Sequence, residues 1–140
     1  MKTNVPGWSL VGEGYQLRCD EVSTNCGVMI LRSEAWTQTK AGALVHGEDA
    51  KPWRGRRFDF STELRAGAVS QRAHVVLVAQ DAQGKTLALA KSAVLEGTTS
   101  FSRHEVSLDV PENAEKLVVG IELIGSGAVF VRDLTVVAAR

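Results

Sequence analysis

The stretch Arg57-Phe58-Asp59-Phe60-Ser61-Thr62-Glu63-Leu64-Arg65 sets Phe58, Phe60, Thr62 and Leu64 in alternation with charged or hydroxyl residues. Successive side chains of an extended chain point to opposite sides, so this period of two describes a strand with one buried and one wetted face. The segment His104-Glu105-Val106-Ser107-Leu108-Asp109-Val110 repeats the pattern with Val106, Leu108 and Val110 inward, and Pro111-Glu112-Asn113 stops it. Ala73 to Ala79 and Lys116 to Ile124 are apolar on nearly both faces, as central strands are.

Around these, Asp81-Ala82-Gln83-Gly84 forms a hairpin connection into Lys85 to Ala90, and Gly125-Ser126-Gly127 leads into a long last strand, Ala128 to Val137. Trp8 to Val11, Tyr15 to Cys19, Val28 to Arg32 and Gly42 to His46 are further strand candidates. No twelve-residue window sustains a helical period; the best, Ser33 to Ala43, carries Thr37, Thr39 and Gly42 where good helix formers are wanted. Valine is abundant, and 13 Gly against 3 Pro supply the turns. The expected fold is all-β: an antiparallel two-sheet β-sandwich of jelly-roll type, with nine or ten strands in one domain spanning residues 1–140.

Charge and length exclude several classes. Sixteen basic and sixteen acidic side chains leave a formal charge of zero and a pI near 6.8, so direct nucleic-acid binding is not expected. The longest apolar stretches, such as Val75 to Ala79, fall far short of the ~20 residues that cross a bilayer. The opening Met1 to Pro6 lacks the apolar run of a secretion signal, which makes a cytoplasmic location the expectation and leaves no membrane partner. Cys19 and Cys26 flank a polar loop; a disulfide across it is geometrically conceivable, while a reducing cytosol favours two thiols. Neither the two cysteines nor His46, His74 and His104 fall in a metal-ligand spacing, a nucleophile elbow or a phosphate-cradling loop. No catalysis, cofactor or metal is therefore expected. His74 and His104 are expected as surface imidazoles, His46 as lining a sheet face, and Arg54, Arg56 and Arg57 as a solvated strand edge.

Three segments, in order, carry a resemblance: Trp53-Arg54-Gly55-Arg56-Arg57-Phe58, then Gly97-Thr98-Thr99-Ser100-Phe101 through Pro111, then Gly127-Ala128-Val129-Phe130-Val131-Arg132-Asp133-Leu134. With Trp8, Gly12, Tyr15 and Asp20 at the start, the chain resembles carbohydrate-binding-module-like, galactose-binding-type jelly rolls. It is most similar to the accessory domain that follows the helix-turn-helix region in some bacterial transcriptional regulators of the arabinose-operon activator type. The resemblance implies core roles for Trp8 and Phe101, and an accessory part in transcriptional regulation. It departs at Arg132-Asp133, where several relatives place an acidic pair that helps hold calcium, and no DNA-binding helix pair precedes the module here.

Two functional readings follow. The first is a non-catalytic module for a saccharide or another small ligand. Sugar rings stack their C–H faces on flat aromatic side chains and take hydrogen bonds from polar neighbours, and Trp36, Trp53 and His46 are the candidates. The second is a protein-interaction or self-association domain, including a homodimer, using an apolar sheet face. If Val75, Leu77 and Ala79 face inward, Val76 and Val78 face outward with Val118 and Ile124, and Ala88, Ala90 and Gly120 extend that face.

Overall fold

The computed structural model describes residues 8–19 and 28–138. Among them eleven strands build two antiparallel sheets packed as a jelly-roll sandwich. They are β1 (Ser9–Val11), β2 (Tyr15–Cys19), β3 (Val28–Ser33), β4 (Ala41–Asp49), β5 (Arg57–Gly67), β6 (Val69–Gln80), β7 (Thr86–Lys91), β8 (Leu95–Gly97), β9 (Ser102–Asp109), β10 (Lys116–Ile124) and β11 (Ala128–Ala138). One sheet runs β1-β4-β10-β6-β7, with β8 also on β6; the other runs β2-β3-β11-β5-β9. The chain changes sheet at most connections, so residues far apart in sequence become neighbours, as β3 and β11 do. The only helical piece among the described residues is the 3-10 turn Lys51–Trp53, and no helix is long and apolar enough to cross a membrane.

The core follows the period of two. Phe58, Phe60, Leu64 and Ala66 of β5 are buried, and their partners Leu108, Val106 and Val131 in β9 and β11 lie on the same inner face. Opposite them the other sheet presents Val75 and Leu77 of β6 against Ile121 and Val119 of β10. Area removed from water at roughly 25 cal/mol per Å2 makes this double layer of branched side chains the main stabilising term. Gly42 is needed here because a Cβ at its position would lie 2.4 Å from the Tyr15 ring.

Several expectations need correction. Cys19 is disulfide-bonded rather than a thiol, and the chain's other cysteine, Cys26, lies outside the described residues. Ala88 and Ala90 pair with Ala79 and Leu77, which puts them on the inner side of the sheet and not on the outer face with Val76 and Val78. His74 and His104 are not surface imidazoles: they are 2% and 7% exposed. His104 faces inward beside Val106 and bonds the Ser102 hydroxyl at 3.0 Å, and burial holds its pKa below the ordinary value. His74 faces outward but contacts Glu122 at 2.8 Å. Phe101 is not in the core; it stands half-buried on the outer face of the five-stranded sheet, with the Arg132 guanidinium 3.7 Å and that of Arg65 5.7 Å from its ring centre. The short β8 had no alternation long enough to show in the sequence.

Candidate functional site

The outer face of the five-stranded sheet holds a groove of about 470 Å3 over β2, β3 and β11, bordered by the β3–β4 loop. That volume lies in the range of small-ligand sites, about 300–1,000 Å3. Its apolar floor is Ile30 and Phe130, directly paired across β3 and β11; Arg18 and Arg32 project from β2 and β3, and Glu34 and Trp36 stand on the loop.

Each side chain arrives there by alternation. Leu17 and Leu31 point into the core, so Arg18 and Arg32 next to them point out, and Val129 and Val131 turn Phe130 outward. Trp36 is 86% exposed, an indole left in water on a turn closed by the Gln38 N–H donating to the Ala35 carbonyl. A Trp left this exposed is uncommon in a folded chain.

The loop carrying Trp36 is tied down on both sides. The Gln38 amide donates to the Glu13 carbonyl at 3.2 Å, while its oxygen accepts the backbone N–H groups of Thr39 and Lys40 at 3.1 Å each. Glu34 N–H donates to the Gly14 carbonyl, and Ser33 N–H to that of Gly127. The Ser33 hydroxyl in turn accepts the Gly127 N–H at 3.1 Å, and Ser70 clips Ser126 in the same reciprocal way. Gly127 has φ +121°, and a Cβ there would lie 2.6 Å from the Ala68 carbonyl oxygen, so only glycine lets the two turns close beneath the groove.

Beside the groove, Phe130 pairs with Arg65 of β5, whose guanidinium lies 3.7 Å from the ring centre. Arg65, Phe101 and Arg132 continue this line of stacked planar groups. Arg132 is held to Glu63 at 2.7 Å, and its carbonyl accepts the Thr62 hydroxyl where a bulge at Asp133 bends β11. A second, smaller groove of about 240 Å3 lies over β5 and β9, and its charges are matched: Arg57 with Asp59, Arg103 with Glu105. The Ser107 hydroxyl and Arg57 hold the Asp59 carboxyl below its ordinary pKa.

Trp36, Trp53 and His46 do not share one surface. The nine residues of β4 separate the Trp36 loop from the turn bearing Trp53, about 30 Å of extended chain. Trp53 sets its ring edge against Phe58 of the core, 4.6 Å between centroids. His46 stacks on Trp8 at 5.1 Å and lies 3.3 Å from Glu48. Tyr15, the other large ring near the loop, is buried. Arg54 pairs with Glu115 and donates to the Ala114 carbonyl, fastening the turn rather than awaiting a ligand. Among the described residues no cluster of three or more metal-ligating side chains occurs. Arg18, Arg32 and Phe130 were not singled out from the sequence. Their outward direction is readable from the alternation, but nothing in the sequence shows β3 beside β11.

Val76, Val78, Val118 and Ile124 do lie on one face, the outer side of the six-stranded sheet: Val78 pairs with Val118, Val76 with Gly120, and Ile124 with Arg72. Val11 and Leu89 on the same face are 53% and 52% exposed.

No family model matches the sequence, and no characterised protein matches it by sequence search. Solved structures do match in fold. The enzymatically active domain of bacteriophage CBA120 tailspike protein 4 superposes with TM-score 0.74 at 12% identity, over 97% of this chain and 20% of that one. The CBM22-1–GH10 modules of a Clostridium thermocellum xylanase, complexed with xylohexaose, give 0.72 at 12% identity, over 99% of this chain and 27% of that one. The chain thus spans well under half the length of these two. The CBM22-1 xylan-binding domain of Paenibacillus barcinonensis Xyn10C gives 0.67 at 11% identity, over 100% of this chain and 90% of that one. The fold of this chain is therefore that of carbohydrate-binding modules.

Proposed function

We propose that this chain is a non-catalytic saccharide-binding module whose ligand lies in the groove over β2, β3 and β11, with Trp36 as its stacking platform. The observation that carries the reading is the indole of Trp36, 86% exposed on a loop held by hydrogen bonds on both sides, at the border of a groove lined by arginine, glutamate and aromatic side chains. A pyranose ring offers C–H faces to such an indole and hydroxyls to the polar neighbours. The carbohydrate-binding modules of like fold support the same reading. An accessory role beside a bacterial transcriptional regulator rests on the sequence resemblance alone. Probing a glycan array with the full chain tests the proposal: binding of one glycan class above background is expected, and a blank array with folded protein refutes it.

Trp53 and His46 then serve structure more than recognition, one sealing the core beside Phe58 and the other stacked on Trp8. A second reading, self-association, is favoured by Val76, Val78 and Val118 lining one outer face with Leu89 and Val11 exposed beside them. Sedimentation at micromolar concentration tests it; a monomer there removes it.

A further inference from the structure

We propose that the saccharide held by the Trp36 groove is anionic, with its carboxylate or sulfate groups taken by Arg18 and Arg32; this rests on the saccharide reading above. The outer face of the five-stranded sheet divides into two halves of different electrostatics. Toward β5 and β9 the arginines other than Arg65 are neutralised: Arg57 by Asp59 at 3.0 Å, Arg103 by Glu105 at 2.7 Å and Arg132 of β11 by Glu63 at 2.7 Å. Toward β2 and β3 they are not.

Arg32 pairs across the strands with Gln16, and Arg18 with Ile30, so the two arginines are diagonal neighbours on one face, about 7–8 Å apart at the backbone. Both are exposed, and neither meets a carboxylate among the described residues. Arg18 donates to the Gln16 side-chain oxygen at 3.1 Å, and the Gln16 amide donates to Glu34 at 3.3 Å. The one acid lining the groove is therefore reached through a neutral amide. Arg65, stacked over Phe130 next to the floor, adds a third cation that has no carboxylate partner among the described residues. Among the described residues, this end of the sheet face sets three arginines without a carboxylate partner beside one glutamate, Glu34.

Like charges gathered on one sheet face repel one another, and a neutral sugar would leave that repulsion in place. An anionic one removes it. The guanidinium fork matches the two oxygens of a carboxylate or sulfate, and a guanidinium stacked by its face, as Arg65 is, keeps its in-plane N–H donors for such a group. The ligand chemistry that fits is a sugar ring for Trp36 with an acidic substituent a few ångströms away.

The test is calorimetric titration of the full chain with alginate oligosaccharides, the same oligosaccharides after carboxyl reduction, chondroitin sulfate, desulfated chondroitin and neutral xylohexaose. The proposal expects an acidic glycan to bind, and to lose about tenfold or more in affinity when its carboxylate or sulfate is removed, the size of one charge-assisted hydrogen bond. The alginate and chondroitin arms tell carboxylate from sulfate. R18Q and R32Q are expected to lose as much while keeping the wild-type unfolding midpoint, and R56Q, the same charge change at the far end of the sandwich, to lose nothing. Xylohexaose or a reduced glycan binding as tightly, with R18Q and R32Q unaffected, overturns the anionic assignment and leaves the saccharide reading standing. Dextran sulfate and inorganic polyphosphate binding wild type and W36A alike would show a general polyanion contact, which also overturns it. No glycan binding at all defeats both.

Discussion

The Tyr15 hydroxyl lies 2.5 Å from the Gly125 carbonyl, to which it donates, and 2.8 Å from the carbonyl of Lys40. One side chain rooted in the core of β2 thus joins the end of the Trp36 loop to the turn between β10 and β11. Fold and groove are coupled through it. Removing the hydroxyl in Y15F leaves the Gly125 carbonyl short of this donor, while the Lys40 carbonyl keeps the Gly125 N–H, and the expected cost is about 1–2 kcal/mol in urea unfolding. The same variant should bind ligand more weakly, because the loop loses a tie without losing any residue of the groove.

Burial keeps the Tyr15 pKa above its ordinary 10.0. The folded state therefore holds this proton more tightly than the unfolded one, and the associated stability is complete below that pH and declines as pH rises through it. An alkaline unfolding series should show the decline in wild type and not in Y15F.

His104 gives the opposite limb. Burial lowers its pKa from 6.5, so the unfolded chain binds the proton more readily. Stability is full above 6.5 and falls as pH drops below that value toward the lower folded pKa. Urea midpoints measured across this window should decrease with acidity in wild type, and H104N should flatten the dependence.

The Gln38 side chain shapes the loop through four hydrogen bonds, two to the Glu13 and Gly14 carbonyls and two from the backbone of Thr39 and Lys40. Q38A should leave global stability within about 1 kcal/mol, since these groups are near water. It should nevertheless raise the ligand dissociation constant several-fold by releasing Trp36 from its position. Unchanged affinity would mean that the loop needs no such anchor.

How much of this was legible in the sequence depended on distance along the chain. The alternation in Phe58, Phe60, Thr62 and Leu64 gave β5 its buried face, and Lys116–Ile124 was bounded correctly as a central strand. Trp36 stood out because its neighbours are polar. Phe101 went the other way: a lone aromatic looks apolar, and only the arrival of Arg65 and Arg132 from β5 and β11 explains its place outside the core. The groove was illegible for the same reason, since its floor joins Ile30 to Phe130 across a hundred residues.

Cys19 is disulfide-bonded, a bond that a reducing compartment would open. Thiol titration of non-reduced, denatured protein should find no reactive cysteine, and two after reduction, the number in the chain.

Trp36 carries the account most directly. Calorimetric titration of W36A beside wild type, with a glycan that the wild type binds, should show at least a roughly thirtyfold loss of affinity, about the 2 kcal/mol expected when an anchoring Trp is removed, at an unaltered unfolding midpoint. Affinity retained within twofold would contradict it, and the ligand would have to be sought on another face.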